Sequence, residues 1–250
     1  MGFLHAGHLS LIDQGKRVNP DGKTIVSIFV NPLQFGPNED FSQYPRDETR
    51  DLKLLQEKGV DAVFLPTVSD LYPKGHDTSV LVRGPSLQLE GALRPDHFVG
   101  VATVVSILLH LFSPKVAVFG QKDAQQVAVV QKLIKDLWLP TKMVVAPTVR
   151  EKDGLALSSR NIYLSPQERS QASGLYKALR AGISFAENNP HATATLIEQV
   201  VERTAPELAW QYVSLRSQET FAQLTQVDSP YYLLGSVKFE RVRLLDNVIG

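Results

Sequence analysis

KVAVFGQKDAQQVAVVQKLIKDLWLPTKMVVA, residues 115–146, is the stretch that decides the fold. Lys115 to Phe119 is a short apolar run rich in β-branched residues and reads as a buried strand. Asp123 to Trp138 repeats its apolar residues at helical spacing and reads as an amphipathic helix, and Thr141 to Ala146 is a strand again. Strands that are nearly continuous in apolar residues, separated by helices, belong to a parallel sheet covered on both faces. The same alternation runs back toward the N-terminus. Thr24 to Val30 reads as a buried strand, Arg46 to Lys58 as a helix, Asp61 to Leu65 as a strand and Val99 to Phe112 as a strongly apolar helix. The fold class is therefore α/β, a doubly wound parallel sheet of Rossmann-like type.

Beyond about Arg150 the texture changes. Helices are expected over Pro166–Asn188 and Ala194–Arg203, and strands of alternating polarity over Trp210–Leu215 and Tyr231–Leu245. This reads as a small α+β C-terminal domain, with residues 1–149 forming the larger domain and 150–250 the smaller. The chain opens directly on a turn and a helix, where a nucleotide-binding sheet would place a strand first. A preceding strand is thus expected but absent from residues 1–250.

Composition narrows the function. Lys plus Arg and Asp plus Glu both number 26, which leaves no global basic footprint and argues against a nucleic-acid partner. The chain has no cysteine, which excludes disulfides, thiol nucleophiles and Cys–zinc sites and suits a reducing cytoplasm. There is no signal peptide pattern, and the longest apolar stretch, Phe98 to Phe112, is too short to span a membrane. No Walker A string and no G-x-S-x-G elbow occurs. No dense His–carboxylate metal spacing occurs either, so a metal would be a Mg²⁺ held mainly by nucleotide phosphates and water.

Five short strings carry chemistry. His5-Ala6-Gly7-His8 opens a helix running to about Arg17. A helix N-terminus offers free N–H groups to a phosphate, and two imidazoles one turn apart can donate to oxygens that gain charge. The same residues also serve as a plain helix start. Asn31-Pro-Leu-Gln34-Phe35 follows a strand, where ligands of open α/β sheets sit, and Gln34 can both donate and accept toward a hydroxy acid. An ordinary Pro turn is the competing reading. Glu90 to Phe98 contains Arg94, able to grip a carboxylate or phosphate, or else to decorate a capped helix start.

In Gly120-Gln121-Lys122-Asp123-Ala124-Gln125-Gln126, Gly120 permits a tight turn and Lys122 reaches phosphates as a point charge. Asp123 accepts from a ribose hydroxyl or caps the helix, and Gln126 falls four residues after Lys122. Last, Ser158-Ser159-Arg160 forms a compact phosphate grip at the expected domain hinge.

In order and spacing these strings, with VREKDGLALSSRNIYL and the closing GSVKFERVRLLDN, resemble the pantothenate synthetases, or pantoate–β-alanine ligases, along essentially the whole chain. The resemblance implies the HxGH nucleotidylyl-transferase form of the α/β sheet, a C-terminal lid and a homodimer. It implies ATP, with Mg²⁺, and pantoate as substrates of an adenylation, and β-alanine as the amine that takes the pantoyl group. By alignment, ATP falls on Met1, Gly2, Phe3, Leu4, His5, Ala6, Gly7 and His8, on Gly120, Gln121, Lys122 and Asp123, and on Val149, Leu157, Ser158, Ser159 and Arg160. His8 matches the proton donor, and His5, Lys122 and Arg160 complete the catalytic set. Gln34 and Gln126 match pantoate-binding glutamines, with Asn31, Arg94 and His97 lining the same place. Leu157 stands where Met is common and Gln121 where Glu is common. Some relatives continue into a cytidylate kinase domain, so the chain is expected to be such a ligase or the ligase part of a fusion. An aminoacyl-tRNA synthetase also uses HxGH but needs an RNA-binding surface for which this chain lacks length and charge. A non-catalytic nucleotide-binding protein would be expected to have lost some of these polar residues.

Overall fold

A computed structural model describes residues 2–37 and 39–250 and falls into two units. The first takes the chain up to Gly120 together with Gln125–Ala146, and the second takes Gln121–Ala124 together with Pro147–Gly250.

In the first unit, α1 (Ala6–Val18) starts where His5 is extended, at φ −136°, and the His5 carbonyl accepts from the N–H groups of His8 and Leu9. Strand β1 (Ile25–Ser27) follows, then α2 (Glu48–Glu57), capped by Asp47, whose side chain accepts from the Arg50 N–H. β2 (Ala62–Phe64) pairs parallel with β1. After the short α3 (Val68–Leu71) and α4 (Glu90–Leu93) comes α5 (His97–Phe112), then β3 (Val116–Gly120), α6 (Ala124–Asp136) and β4 (Lys142–Ala146). β3 and β4 pair parallel over five residues. The parallel α/β character expected from the alternating pattern is present. Among the described residues, however, hydrogen bonding divides it into the pairs β1–β2 and β3–β4, so β1 and β3 are each bonded along one edge.

Helix α5 begins two residues before the expected Val99. Asp96 turns left-handed, at φ 69°, and places His97 and Phe98 in the first turn. α6 stops at Asp136, short of the expected Trp138. Trp138 goes left-handed and the Leu139 N–H bonds back to Ile134 O, which terminates the helix. α5 and α6 share a core of Phe98, Val101, Ala102, Val129, Val130 and Leu133. α1 and α2 bury Leu4, Ile12 and Leu55 together.

The second unit is built on α7 (Pro166–Asn188), α8 (Ala194–Thr204) and the antiparallel sheet β5 (Trp210–Ser217), β6 (Tyr231–Lys238), β7 (Arg243–Ile249). α7 carries a full start signal: Ser165 accepts from the Glu168 N–H, Glu168 returns the bond, and Pro166 occupies the first helical position. Its residues Leu175, Leu179 and Ile183 recur at helical spacing and are buried against Ile197, Val201, Leu215 and Leu233. Each such side chain contributes about 1.5–3 kcal/mol on burial. The expected single strand Tyr231–Leu245 is two strands. The Phe239 N–H bonds to Val242 O, closing a hairpin turn that apolar patterning alone does not mark.

Candidate active site

The turn ahead of α1 is held from below by an acid. Asp51, on α2 and 1% exposed, accepts from the Phe3 N–H at 2.6 Å and the Leu4 N–H at 2.7 Å. Two adjacent amides bound by one carboxylate fix the backbone that enters the helix. Gly2 and Phe3 are both left-handed there, at φ 93° and 52°. This backbone sets the His5 and His8 rings against each other, tilted by 32° with ring centroids 3.9 Å apart. The His5 N–H donates to His8 Nδ1 at 3.3 Å. With Nδ1 accepting, the His8 proton sits on Nε2, the tautomer required of a donor to a phosphate oxygen. Met1 lies outside the described residues.

The second cluster of the first unit surrounds Gln34. Pro32, Leu33 and Gln34 form a 3₁₀ turn whose cap is Asn31. Asn31 is buried: its Oδ1 accepts from the Leu33 N–H and the Tyr72 hydroxyl, and its Nδ2 donates to Gly100 O and Gln34 Oε1. Gly100 is required here, since a Cβ would stand 2.3 Å from Leu33 O. Burial pushes the Tyr72 phenol up to about 12, so it stays a donor to Asn31 at any physiological pH.

Arg94 packs onto the same turn. Its Nε and one terminal nitrogen donate to both Glu39 oxygens at 2.6 Å, and its guanidinium also reaches Gln34 O and His97 Nε2. His97 Nδ1 donates to Gln34 O at 2.8 Å. Burial works to raise the Glu39 carboxyl, but its bonds to Arg94 and Gly36 and the nearby positive charge prevail and hold it low. Left-handed Leu89 and Asp96 bracket the Glu90–Arg94 segment, a strained backbone of the kind that functional sites retain. Gln125, just before Gln126 on α6, anchors this segment. It donates to Pro85 O and Gln88 O and accepts from the Glu90 N–H.

In the second unit, Gln121, Lys122 and Asp123 form a 3₁₀ turn after Gly120, and α6 starts only at Ala124. Lys122 Nζ stands 3.4 Å from Asp123 Oδ1. Val149 and Leu157 are brought together by the Leu157 N–H bond to Val149 O, part of a hairpin closed at Gly154. Gly154 has φ +97°, and a Cβ on it would meet the Tyr176 ring at 2.4 Å. The hairpin delivers Ser158, which accepts from the Arg160 N–H and caps the 3₁₀ segment Ser159–Tyr163. Among the described residues no group of three or more His, Cys, Asp or Glu side chains is placed to hold a metal ion. No helix among them is long and apolar enough to cross a membrane.

Residues 1–249 match the family model described as pantoate-beta-alanine ligase. The chain belongs to the pantoate–β-alanine ligase family. It is 47% identical to the pantothenate synthetase of Chloroflexus aggregans over 99% of this chain and 90% of that protein. It is 48% identical to that of Herpetosiphon aurantiacus, over 100% and 91%. The crystal structure of pantothenate synthetase from Thermus thermophilus superposes with a TM-score of 0.93 at 45% identity, covering 99% of this chain and 90% of that one. The ligase from Francisella tularensis, complexed with β-γ ATP and β-alanine, gives 0.79 at 34% identity, covering 100% and 87%. The likeness bears out the doubly wound, HxGH-type α/β fold read from the sequence. The chain is a pantoate–β-alanine ligase that forms pantothenate through a pantoyl-adenylate.

Sequence reading of this ligase passed over Asp51, Glu39, Tyr72 and Gln125. An acid in the first turn of a helix reads as a surface residue answering the helix dipole, and nothing local shows that Asp51 points inward to another segment.

Proposed function

We propose that adenylation in this ligase is carried by positioning and charge stabilisation rather than by a side-chain nucleophile. The pantoate carboxylate is itself the nucleophile. It forms a bond to the α-phosphorus of ATP as the bond to pyrophosphate breaks, and its negative charge makes a general base unnecessary. Gln34 and Gln126 hold pantoate through its hydroxyl and carboxylate. His8, donating from Nε2, and His5 steady oxygens on the phosphorus, while Lys122, Ser158, Ser159 and Arg160 take the charge that develops on the departing pyrophosphate. Asn31, Arg94 and His97 act on the substrate through the Gln34 turn that they grip. The β-alanine amine then forms a bond to the acyl carbon, the acyl carbon–oxygen bond breaks with its electron pair going to the departing AMP, and the amine proton passes to solvent.

The observation that carries this reading is the His5–His8 pair. Its geometry turns the Nδ1 of His8 to the backbone, which puts the ring proton on Nε2 as a donor to phosphate requires. Among the described residues no three acids or histidines converge to hold a metal ion, and Asp123 stands beside Lys122, so the donor set suits a Mg²⁺ that keeps most of its bonds to triphosphate and water. Bound there, the ion neutralises phosphate charge. We also place the enzyme in the cytoplasm, where ATP is maintained, as a homodimer. Apolar side chains such as Trp138, 91% exposed, and Leu111, 56% exposed, offer surface for self-association.

The test is ATP–pyrophosphate exchange with Mg²⁺, with and without pantoate and without β-alanine. Exchange that requires pantoate is expected. Lys122→Ala should lower its rate by about 10²- to 10³-fold, the effect of losing one charge-stabilising donor. Native exchange in Lys122→Ala would remove that residue from the mechanism.

A further inference from the structure

Asn247 on β7 is 1% exposed, and its side chain is committed to one place. Nδ2 donates to Gln121 O at 2.9 Å and to Lys122 O at 3.0 Å, and Oδ1 accepts from Gln121 Nε2 at 3.2 Å. One amide thus makes three bonds to two consecutive residues that lie more than a hundred positions earlier in the chain. The turn it holds is a three-residue 3₁₀ segment, too short to define its own orientation. Lys122 is the residue that this turn presents.

The anchor behind Asn247 is rigid. The Asn247 N–H donates to Asp246 Oδ1 at 2.8 Å. Asp246, 3% exposed, is gripped by both terminal nitrogens of Arg150 at 2.5 and 2.9 Å, and Arg150 also donates to Asn247 O at 3.1 Å. Burial pushes the Asp246 carboxyl up, and the Arg150 guanidinium acts against that rise. The guanidinium lies 3.9 Å from the centre of the Tyr176 ring. The same Arg150 donates to Gly154 O inside the hairpin that leads to Ser158 and Arg160. One buried ion pair therefore sets the position of Asn247 and of the start of the Ser158–Arg160 segment.

We infer that Asn247 is a positioning residue for adenylation: it clamps the Gln121–Asp123 turn so that the Lys122 ammonium is presented to the ATP phosphates. The inference rests on the role given to Lys122 above. A residue that only fills space would tolerate an isostere and would act independently of Lys122. Asn247 should do neither. In Asn247→Asp the shape and the bond from Gln121 Nε2 persist, but an oxygen faces the two carbonyls that the amide held.

The experiment is a double-mutant cycle on pantoate-dependent ATP–pyrophosphate exchange, with Asn247→Ala, Lys122→Ala and the pair, each normalised to folded protein by circular dichroism and thermal midpoint. Asn247→Ala alone should lower the exchange kcat by about 10-fold with the pantoate KM held within about two-fold, since a displaced charge-stabilising group loses rate rather than acid binding. Asn247→Asp should lose no less. In the Lys122→Ala background, the loss from Asn247→Ala should shrink to less than about two-fold, because the group being positioned is gone. Losses that multiply in full across the pair would overturn the inference while leaving Lys122 in place. Native exchange in Lys122→Ala would instead overturn the reading on which it rests, and the inference with it. If Asn247→Ala does not fold, Gln121→Ala removes the side-chain half of the clamp and enters the same cycle, with an expected loss of about three-fold.

Discussion

Replacing Asp51 tests whether a buried acid, remote from the reacting atoms in sequence, sets the histidine turn. Its two oxygens accept from the Phe3 and Leu4 N–H groups at 2.6 and 2.7 Å, and the side chain is 1% exposed. A hydrogen bond to a charged group contributes about 1.5–3 kcal/mol, so two give a ceiling of about 3–6 kcal/mol. Water entering the space left by alanine would recover part of this, and the expected loss for Asp51→Ala is about 3 kcal/mol. Asp51→Asn keeps one acceptor and turns an NH₂ toward the other amide, so roughly half of that loss is expected. At about 2–4 °C per kcal/mol for a chain of this size, Asp51→Ala should melt roughly 6–12 °C lower. Rate should fall further than stability implies. His5 follows directly on the held residues, and a displacement of about 1 Å in such a group is enough to lower exchange by about 10²-fold. Urea unfolding and pantoate-dependent exchange, measured on the same preparations, read both effects. An alanine variant within about 0.5 kcal/mol of the parent and within two-fold in exchange would refute the reasoning.

Three further outcomes follow from the geometry. Glu39 is held below the ordinary carboxylate range of about 4.3, so its contribution to stability is present above that value and is lost as pH falls through its lowered folded value. Glu39→Gln should therefore melt below the parent at pH 7 and converge with it as pH falls through that lowered value, and a gap that stays constant on acidification would contradict the Arg94 pairing. Tyr72 is raised to about 12, and burial also raises Tyr231 and Tyr232, so alkaline difference spectra should show late-titrating tyrosines. Tyr72→Phe should remove one of these late transitions. Gly154→Ala forces a side chain onto φ +97° and against the Tyr176 ring, with an expected destabilisation of about 2–3 kcal/mol measured by urea unfolding. No loss there would mean that the 149–157 hairpin tolerates rearrangement.

Much of this was legible before any coordinates. The β-α-β run of residues 115–146 and the strings around His5, Gln34, Lys122 and Ser158 are local in sequence, and local patterns report what they cause. Helix α7 is found from Pro166 to Asn188, where the pattern places it, because Ser165, Pro166 and Glu168 form its start signal within four positions. The pattern also predicted one strand over Tyr231–Leu245, where the chain makes a hairpin. Both arms carry the same mixed apolar and polar pattern, and the reversal between them contains no glycine or proline to mark it. Arg94 reads from sequence as a carboxylate or phosphate grip. Its guanidinium meets the Glu39 carboxylate, Gln34 O and His97, and only folding brings these four residues together.

By itself, then, the sequence determined the α/β class, through its periodicity, and the reaction type, through the resemblance of its short motifs to the ligase family. These depend on periodicity and on short motifs whose members are neighbours along the chain. Tertiary structure alone decided what holds those motifs in place: Asp51 beneath the Phe3–Leu4 amides, Glu39 against Arg94, and Asn247 against the Lys122 turn. Their partners are 47, 55 and 125 residues away. A hydrogen bond across such a separation has no local periodicity to betray it, because its two ends meet only after the helices and strands between them have packed.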